Sequence, residues 1–163
     1  MYPTDLTVAA VVRDRERYLI VEESSSGHVV LSQPGGHIES GEAPEQALER
    51  EVLEETACVV RCSDLIGVYL WIHPQTRQQF LRLMYAAEFV TCVQARSLDD
   101  GIIARHWLTR ADLEAKRAKL RSPVVLRSVY DFEAGRRESD MLIAGMHPLQ
   151  QNVDLVLARA DLV

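Results

Sequence analysis

The stretch 34–56 restricts the possible folds of this chain more than any other part of its 163 residues. The sequence Pro44 to Thr56 predicts a helix, because a proline fits the first turn, where its missing N–H is not needed. Leu48 and Val52 lie four positions apart and would share one apolar face. The predicted helix therefore buries one side against a core.

Three glutamates occupy another face of the same helix. Glu51, Glu54 and Glu55 stand at positions i, i+3 and i+4 and project within a sector of about 100°. Like charges at this spacing repel each other, and no lysine lies one turn away, although Arg50 is adjacent. A divalent cation such as Mg²⁺ or Mn²⁺, which prefers carboxylate oxygens, would relieve the repulsion. A solvated acidic face is the alternative interpretation.

Two adjacent glycines precede this helix. Gly35 and Gly36 allow the backbone to bend tightly and to approach a ligand closely, so a carbonyl there could join the carboxylates around a cation. A Gly-Gly pair alone is also typical of an ordinary turn. Together with the glutamate face, the pair favours a metal site.

The segment resembles the Nudix box, the pattern G-x5-E-x7-R-E-U-x-E-E-x-G-U in which U is aliphatic. The six glycine or charged positions that match at the right spacing are Gly36, Glu42, Arg50, Glu51, Glu54 and Glu55. Two positions depart from the pattern, because Ala57 replaces the final glycine and Cys58 replaces an aliphatic residue. The glycine usually closes the helix in a left-handed conformation, and alanine with the same angles would cost about 1–2 kcal/mol.

The resemblance implies a role for each matching residue. The metal ligands would be three carboxylates and one carbonyl oxygen, from Glu51, Glu54, Glu55 and Gly35. Glu42 and Arg50 would brace the loop that contains Gly36 against the helix. The expected catalytic residues are Arg50, Glu51 and Glu54. In such enzymes water attacks a phosphorus atom while Mg²⁺ or Mn²⁺ neutralises the diphosphate, and electrostatics and positioning supply most of the rate gain.

The base that activates the water differs among Nudix enzymes. It is the glutamate matching Glu51, or an acid on a loop ahead of a later strand. Here that loop contains Asp99 and Asp100 followed by Gly101, whereas many relatives carry the acid directly before the next isoleucine. Both aspartates are candidates, Asp100 also as a substrate contact, but the Asp-Asp-Gly sequence is more typical of a simple turn.

Weaker similarities outside the box, such as the stretch from Phe80 to Glu88, resemble the bacterial NudJ-type phosphatase branch. The resemblance implies hydrolysis of nucleoside tri- and diphosphates, of thiamine pyrophosphate, or of its hydroxymethylpyrimidine pyrophosphate precursor. Two alternatives are a non-catalytic Nudix-fold module that binds a nucleotide and an RNA pyrophosphohydrolase. The intact box argues against the first, and the acidic net charge argues against the second.

Residues outside the box could hold the organic part of such a substrate. Trp71 could stack on a pyrimidine ring, or it could be an aromatic residue half buried in a sheet. Arg82 alternates with Phe80 on one face of a predicted strand, and it could bind a phosphate or pair with a surface acid. Weaker suggestions of the same kind are His37, Arg77, Gln79 and Arg121.

The rest of the chain mixes predicted strands and helices. Strands are expected at 6–12, 18–23, 28–31, 59–71, 80–90 and 102–108, and helices at 110–119 and 123–132, with a further short helix from Asn152. This order favours an α+β fold, a Nudix-type α/β/α sandwich with a mixed β-sheet. A length of 163 residues fits a single domain covering 1–163.

Composition and charge limit the partners. No apolar run is long enough to cross a bilayer, so we expect a cytoplasmic protein that does not bind a membrane. A net charge of −6 argues against a duplex nucleic acid partner but not against a small phosphorylated substrate. The odd number of cysteines (Cys58, Cys62 and Cys92), without a C-x-x-C pair, predicts reduced thiols. The expected assembly is a monomer or a homodimer.

Overall fold

A computed structural model describes residues 4–25, 27–93 and 95–137 of the chain. The short helix expected from Asn152 lies outside these residues. The elements in chain order are β1 (Thr4–Asp14), β2 (Arg17–Ser25), β3 (His28–Ser32), α1 (Pro44–Thr56), β4 (Cys58–Ile72), β5 (Gln79–Cys92), β6 (Ile102–Thr109), α2 (Arg110–Ala115), a 3₁₀ turn (Arg117–Lys119) and α3 (Val124–Glu133).

The six strands form a mixed sheet in the order β3-β2-β1-β5-β4, with β6 paired to β2. β1 runs parallel to β5, and the remaining pairs are antiparallel. β1 and β2 pair only beside their tight turn, through Arg13 with Tyr18 and Asp14 with Arg17, and then diverge. This mixed sheet between helices confirms the expected α/β/α sandwich.

The gap left by the divergence of β1 and β2 is filled by the two-glycine stretch. The Val8 N–H donates to the Gly36 carbonyl at 2.9 Å, and the Ala10 N–H donates to the Pro34 carbonyl at 3.0 Å. Farther along, the Ile38 N–H donates to the Leu6 carbonyl at 3.3 Å. The loop thereby runs along the middle of β1 as an irregular extra strand, which places the partly buried glycines against the sheet.

Apolar side chains pack on both faces of the sheet. On one face Ala47, Leu48 and Val52 of α1 are fully buried against β1 and β5, as the four-residue spacing predicted. On the other face Leu113 of α2 packs with Leu126 of α3. Alternate residues of a strand point to opposite faces of the sheet, so the middle of β1 contributes side chains to both cores. The Pro34–Gly36 stretch bonds to this fully buried part of β1.

The region 110–119 is not one continuous helix, contrary to expectation. α2 ends at Ala115, and a 3₁₀ turn follows. Beyond it Leu120 forms a parallel bridge with Leu31, and the Arg121 N–H donates to the Leu31 carbonyl at 2.9 Å. Pairing with β3 requires extended backbone, so the helix has to end before it.

The expectation of three reduced cysteines was wrong for two of them. Cys58 and Cys92 are directly opposite in the antiparallel register of β4 and β5 and form a disulfide, whereas Cys62 is free. The two lie 34 positions apart in the sequence, and only the pairing register brings them together. None of the helices within the described residues is both long enough and apolar enough to cross a bilayer.

Candidate active site

Gly35 and Gly36 lie so close to their neighbours that a side chain would collide with them. A Cβ at Gly35 would lie 2.2 Å from the Val8 carbonyl oxygen and 2.5 Å from the Cα of Ala9. A Cβ at Gly36 would lie 2.4 Å from the Glu51 carboxylate. The first glycine thus permits close contact with β1, and the second leaves room for a carboxylate of α1.

Arg50 connects the loop with the carboxylates of α1. Its Nε and Nη2 each donate to Glu42 at 2.8 Å, and its Nη2 also donates to the His37 carbonyl at 3.1 Å. Its Nη1 donates to Glu51 at 2.8 Å and to Glu54 at 3.1 Å. The hydrogen bond from Arg50 lowers the pKa of Glu42, which keeps this brace ionised. The expected bracing contact is therefore present.

The helix carboxylates differ in their surroundings. Burial raises the pKa of Glu55 to about 8, although its Oε2 accepts the Gly35 N–H at 2.8 Å. Burial also raises the pKa of Glu51, against the opposing effect of the hydrogen bond from Arg50. Nearby negative charges add to both shifts, Glu23 for Glu55 and Glu54 for Glu51. This crowding of acids in a partly buried place disfavours their charged forms unless a cation compensates them.

The available donors fit a hard divalent cation. The carboxylates of Glu51 and Glu55 lie against the glycine loop, and Arg50 joins Glu54 to Glu51. The Pro34 and Gly36 carbonyls of this loop accept from β1, so the intervening Gly35 carbonyl, by strand alternation, is directed away from β1. Such oxygen donors suit Mg²⁺ or Mn²⁺. Within the described ranges no three acidic, histidine or cysteine side chains already form a metal-binding group; Arg50 Nη1 instead bridges Glu51 and Glu54.

The Asp-Asp-Gly loop docks on the end of α1. The Asp99 N–H donates to the Glu54 carbonyl at 3.1 Å, and the Ile102 N–H donates to the Asp99 carbonyl at 3.1 Å. The charge of Asp99 contributes to the raised pKa of Glu51. Both Asp99 and Asp100 are exposed. The loop is thus the turn that its sequence favoured, and it also brings Asp99 near the helix carboxylates.

A cleft of about 760 Å³ opens between the β4–β5 loop and the residues around the start of α3. Trp71 lines this cleft, stacks on Phe80 with ring centroids 5.6 Å apart, and meets His73 edge-on at 5.3 Å. Trp71 is only partly buried. Its ring therefore packs against another residue of the sheet and also lines the cleft. This position is compatible both with stacking on a substrate ring and with a purely structural role in the sheet.

Two arginines adjoin this cleft. Arg82 is partly buried, and its Nε donates to the Thr7 hydroxyl at 3.2 Å. Burial lowers the pKa of Arg82 to about 10, and the charge of Arg121 adds to the effect. Arg121 Nη1 donates to both carboxylate oxygens of Glu23, at 2.8 and 2.7 Å. Arg121 was only a weak candidate in the sequence, because the partner that holds it beside the cleft lies 98 positions away.

Two of the weaker sequence candidates, Gln79 and His37, have partners at the start of β1. Gln79 Nε2 donates to the Thr4 hydroxyl at 3.0 Å, and His37 Nε2 lies 3.5 Å from the Asp5 carboxylate. Arg77 adopts a left-handed conformation with φ 60° in the β4–β5 loop. The contacts of Gln79 and His37 give these two side chains partners within the protein without a ligand.

Gln33 is a structural residue that sequence reasoning missed. It directly precedes the Pro-Gly-Gly stretch, is 3% exposed, and its Nε2 donates to the Val125 carbonyl at 2.8 Å and to the Ser128 hydroxyl at 2.9 Å. Both acceptors belong to α3. The amide therefore ties the glycine loop to the helix beside the cleft, and a glutamine before Pro-Gly-Gly was the only signal available.

Comparison with known proteins agrees with this geometry. The sequence matches the NUDIX domain family over residues 3–129. It is 32% identical to Phosphatase NudJ of Shigella boydii over 137 residues, covering 84% of this chain and 88% of that protein, and 31% identical to Phosphatase NudJ of Escherichia coli K12 with the same coverage. A NUDIX hydrolase structure from Nitrosomonas europaea superimposes with a TM-score of 0.85 at 35% identity, covering 90% of this chain and 99% of that one.

Proposed function

This chain belongs to the Nudix family, and we propose on that basis that it is a metal-dependent hydrolase of small organic diphosphates and triphosphates. Family membership supports the hydrolysis of phosphate-containing substrates in general. The observation that carries the finer proposal is the set of crowded carboxylates of α1 opposite the Gly35–Gly36 loop, beside a cleft that contains arginines.

We assign the cation to Glu51, Glu54, Glu55 and the Gly35 carbonyl. A bound Mg²⁺ or Mn²⁺ would neutralise the diphosphate and favour attack by water on phosphorus. Arg50 positions the carboxylates of Glu51 and Glu54 through its hydrogen bonds. Two groups are candidates for the base that accepts the proton of the water. One is Glu51, and the other is Asp99 on the loop docked beside it.

The proposed substrates are nucleoside tri- and diphosphates, thiamine pyrophosphate and its hydroxymethylpyrimidine pyrophosphate precursor. The relatives named Phosphatase NudJ support phosphatase chemistry, and the ring of Trp71 supports a planar organic group in the cleft. We propose that Trp71 and Arg82 contact the substrate. Asp100 remains a third proposed contact, because it lies in the exposed turn next to Asp99.

The test is the release of phosphate or pyrophosphate from these compounds with Mg²⁺, with Mn²⁺ and with EDTA. Glu54→Gln should reduce turnover by about 10²-fold or more, since removal of one stabilising group of this kind costs that much. Glu45→Gln, an exposed change on the same helix, is the matched control. Undiminished turnover of Glu54→Gln would refute the metal assignment.

The competing functions predict different results. A non-catalytic binding module would bind a nucleotide without turnover, although such modules usually lose a box carboxylate that this chain retains. An RNA pyrophosphohydrolase would act on 5′-triphosphorylated RNA with a strong salt dependence. A net charge of −6 opposes that activity, and we expect mononucleotides to be hydrolysed faster than such RNA.

A further inference from the structure

We propose that Arg82 and Arg121 form a phosphate-binding subsite apart from the metal-binding carboxylates, and that this subsite selects substrates whose inner phosphate is attached to a unit carrying an aromatic ring. The proposal deepens the proposed function by naming the end of the substrate that each part of the site holds. In it, Arg121 leaves Glu23 when the phosphate binds.

The charge around the cleft is opposite to that of the whole chain. The chain carries a net charge of −6, yet Arg117 and Arg121 line the cleft. Arg82 and Arg121 line a smaller pocket that shares Trp71, Arg121 and Ser122 with the cleft, and we call this pocket its inner extension. The described lining residues of both include no aspartate or glutamate. A cleft lined by one sign of charge concentrates ligands of the other sign. The ligand that this lining favours is therefore an anion.

Arg82 and Arg121 lie together in the inner extension of the cleft, and of the two Arg121 is the one paired with an acid. Among the described residues no carboxylate forms an ion pair with Arg82, whose Nε meets only the Thr7 hydroxyl. Burial and the nearby charge of Arg121 both disfavour the charged form of Arg82 and lower its pKa to about 10. Burying like charges together is costly without a counter-ion. A phosphate would supply that counter-ion, since guanidinium groups bind phosphate oxygens in pairs.

Arg121 has a partner that a substrate could replace. Only its Nη1 bonds to Glu23, at 2.8 and 2.7 Å, and the same arginine lines the cleft with Trp71 and Ser122. The cleft also contains the beginning of the ten-residue helix α3, and the N-terminal end of a helix attracts anions. Glu23 is thus a competitor for the proposed phosphate as well as a support for Arg121.

The aromatic residues define the other half of the ligand. Trp71 lines both parts of the cleft, and Phe80 lies behind it at 5.6 Å. A planar ring on Trp71 would carry its phosphate towards Arg82 and Arg121. The charge of Glu55 interacts with the charges of both Arg82 and Arg121. An outer phosphate would therefore extend from these arginines towards the carboxylates of α1.

The experiment measures binding of cytidine 5′-monophosphate in EDTA by calorimetry at low ionic strength, with cytidine and ribose 5-phosphate as probes that lack one half. Arg121→Gln should weaken binding of the monophosphate by about tenfold or more, whereas Glu23→Gln should tighten it severalfold by removing the competitor. Binding of cytidine should change in neither variant. Trp71→Leu should weaken cytidine but not ribose 5-phosphate.

A phosphate-binding role of Arg121 predicts opposite changes in affinity for Arg121→Gln and Glu23→Gln, whereas a purely structural role predicts the same change for both. If the ion pair were only structural, both variants would weaken binding together with stability, and that result overturns the proposal, as does wild-type affinity of Arg121→Gln. Should Arg121→Gln fail to fold, Arg121→Lys must still lose affinity, because lysine lacks the paired donors. Arg110→Gln, which removes exposed ion pairs away from the cleft, is the control.

Turnover plays no part in this measurement. An inactive protein with the expected binding pattern would refute the proposed hydrolase and leave the subsite standing. An active protein without the pattern would refute the subsite and leave the hydrolase standing.

Discussion

Replacing Gly36 with alanine should damage catalysis much more than stability. The φ of Gly36 is not positive, so an alanine there needs no unusual backbone conformation. Its Cβ would nevertheless lie 2.4 Å from the carboxylate of Glu51. Ordinary van der Waals contact begins near 3.4 Å. The carboxylate therefore has to move away by about 1 Å to relieve the overlap.

The size of the expected effect follows from that displacement. Moving a catalytic group by about 1 Å can cost about 10²-fold in rate. The overlap involves the end of a side chain, so relief of the overpacking should cost no more than about 1–2 kcal/mol of folding free energy. We expect kcat/KM of Gly36→Ala to fall by about 10²-fold while the protein stays folded.

Gly41→Ala is the matched control. Gly41 has φ +85°, and a Cβ there would meet no atom within 4 Å. This variant should lose about 1–2 kcal/mol because of its left-handed backbone, with catalysis unchanged. Steady-state kinetics and urea unfolding of both variants test the contrast. If Gly36→Ala retained wild-type kcat/KM and metal affinity, the assignment of Glu51 to the site would be refuted.

Three further predictions concern stability and thiol chemistry. Ala57 closes α1 with φ 54°, and Ala57→Gly should raise the unfolding free energy by up to about 1 kcal/mol without changing kcat, as measured by urea unfolding. Non-reducing thiol titration should find one free thiol, Cys62, reacting slowly because burial raises its pKa to about 12. Burial acts to raise the pKa of Asp131, but hydrogen bonds from Arg127 and Tyr69 outweigh it and hold that pKa below its usual value. The stabilisation by this carboxylate is therefore complete above about pH 5 and should be lost below about pH 4, so the Tm difference between wild type and Asp131→Asn should shrink there.

The sequence predicted what depends on local pattern. The bounds of α1, Pro44–Thr56, agree with the prediction, because a proline and an apolar spacing of four are local signals. Ala57 adopts the left-handed conformation usually given to glycine, which is the condition under which alanine was expected to carry a cost at this position. The expectation of a single domain over 1–163 and the assigned site roles stay predictions.

Contacts between distant parts of the chain could not be predicted. The Cys58–Cys92 disulfide depends on the β4–β5 register, and the register is set by packing and turn geometry rather than by cysteine spacing. The pair Glu23–Arg121 joins β2 to the segment before α3. Such pairs become visible only when the strands and helices are assembled, and a single sequence contains no record of them.

The amide of Gln33 has a consequence for protein engineering. It binds α3 at two points, Val125 and Ser128, and Pro34 alone separates it from Gly35, so the wall of the cleft and the glycine loop are mechanically connected. Transplanting α3 from a relative to change substrate preference would therefore displace the loop as well, unless positions 33 and 128 were exchanged together. Substitutions on the rim of the cleft, at Trp71 for example, can be made without disturbing that connection.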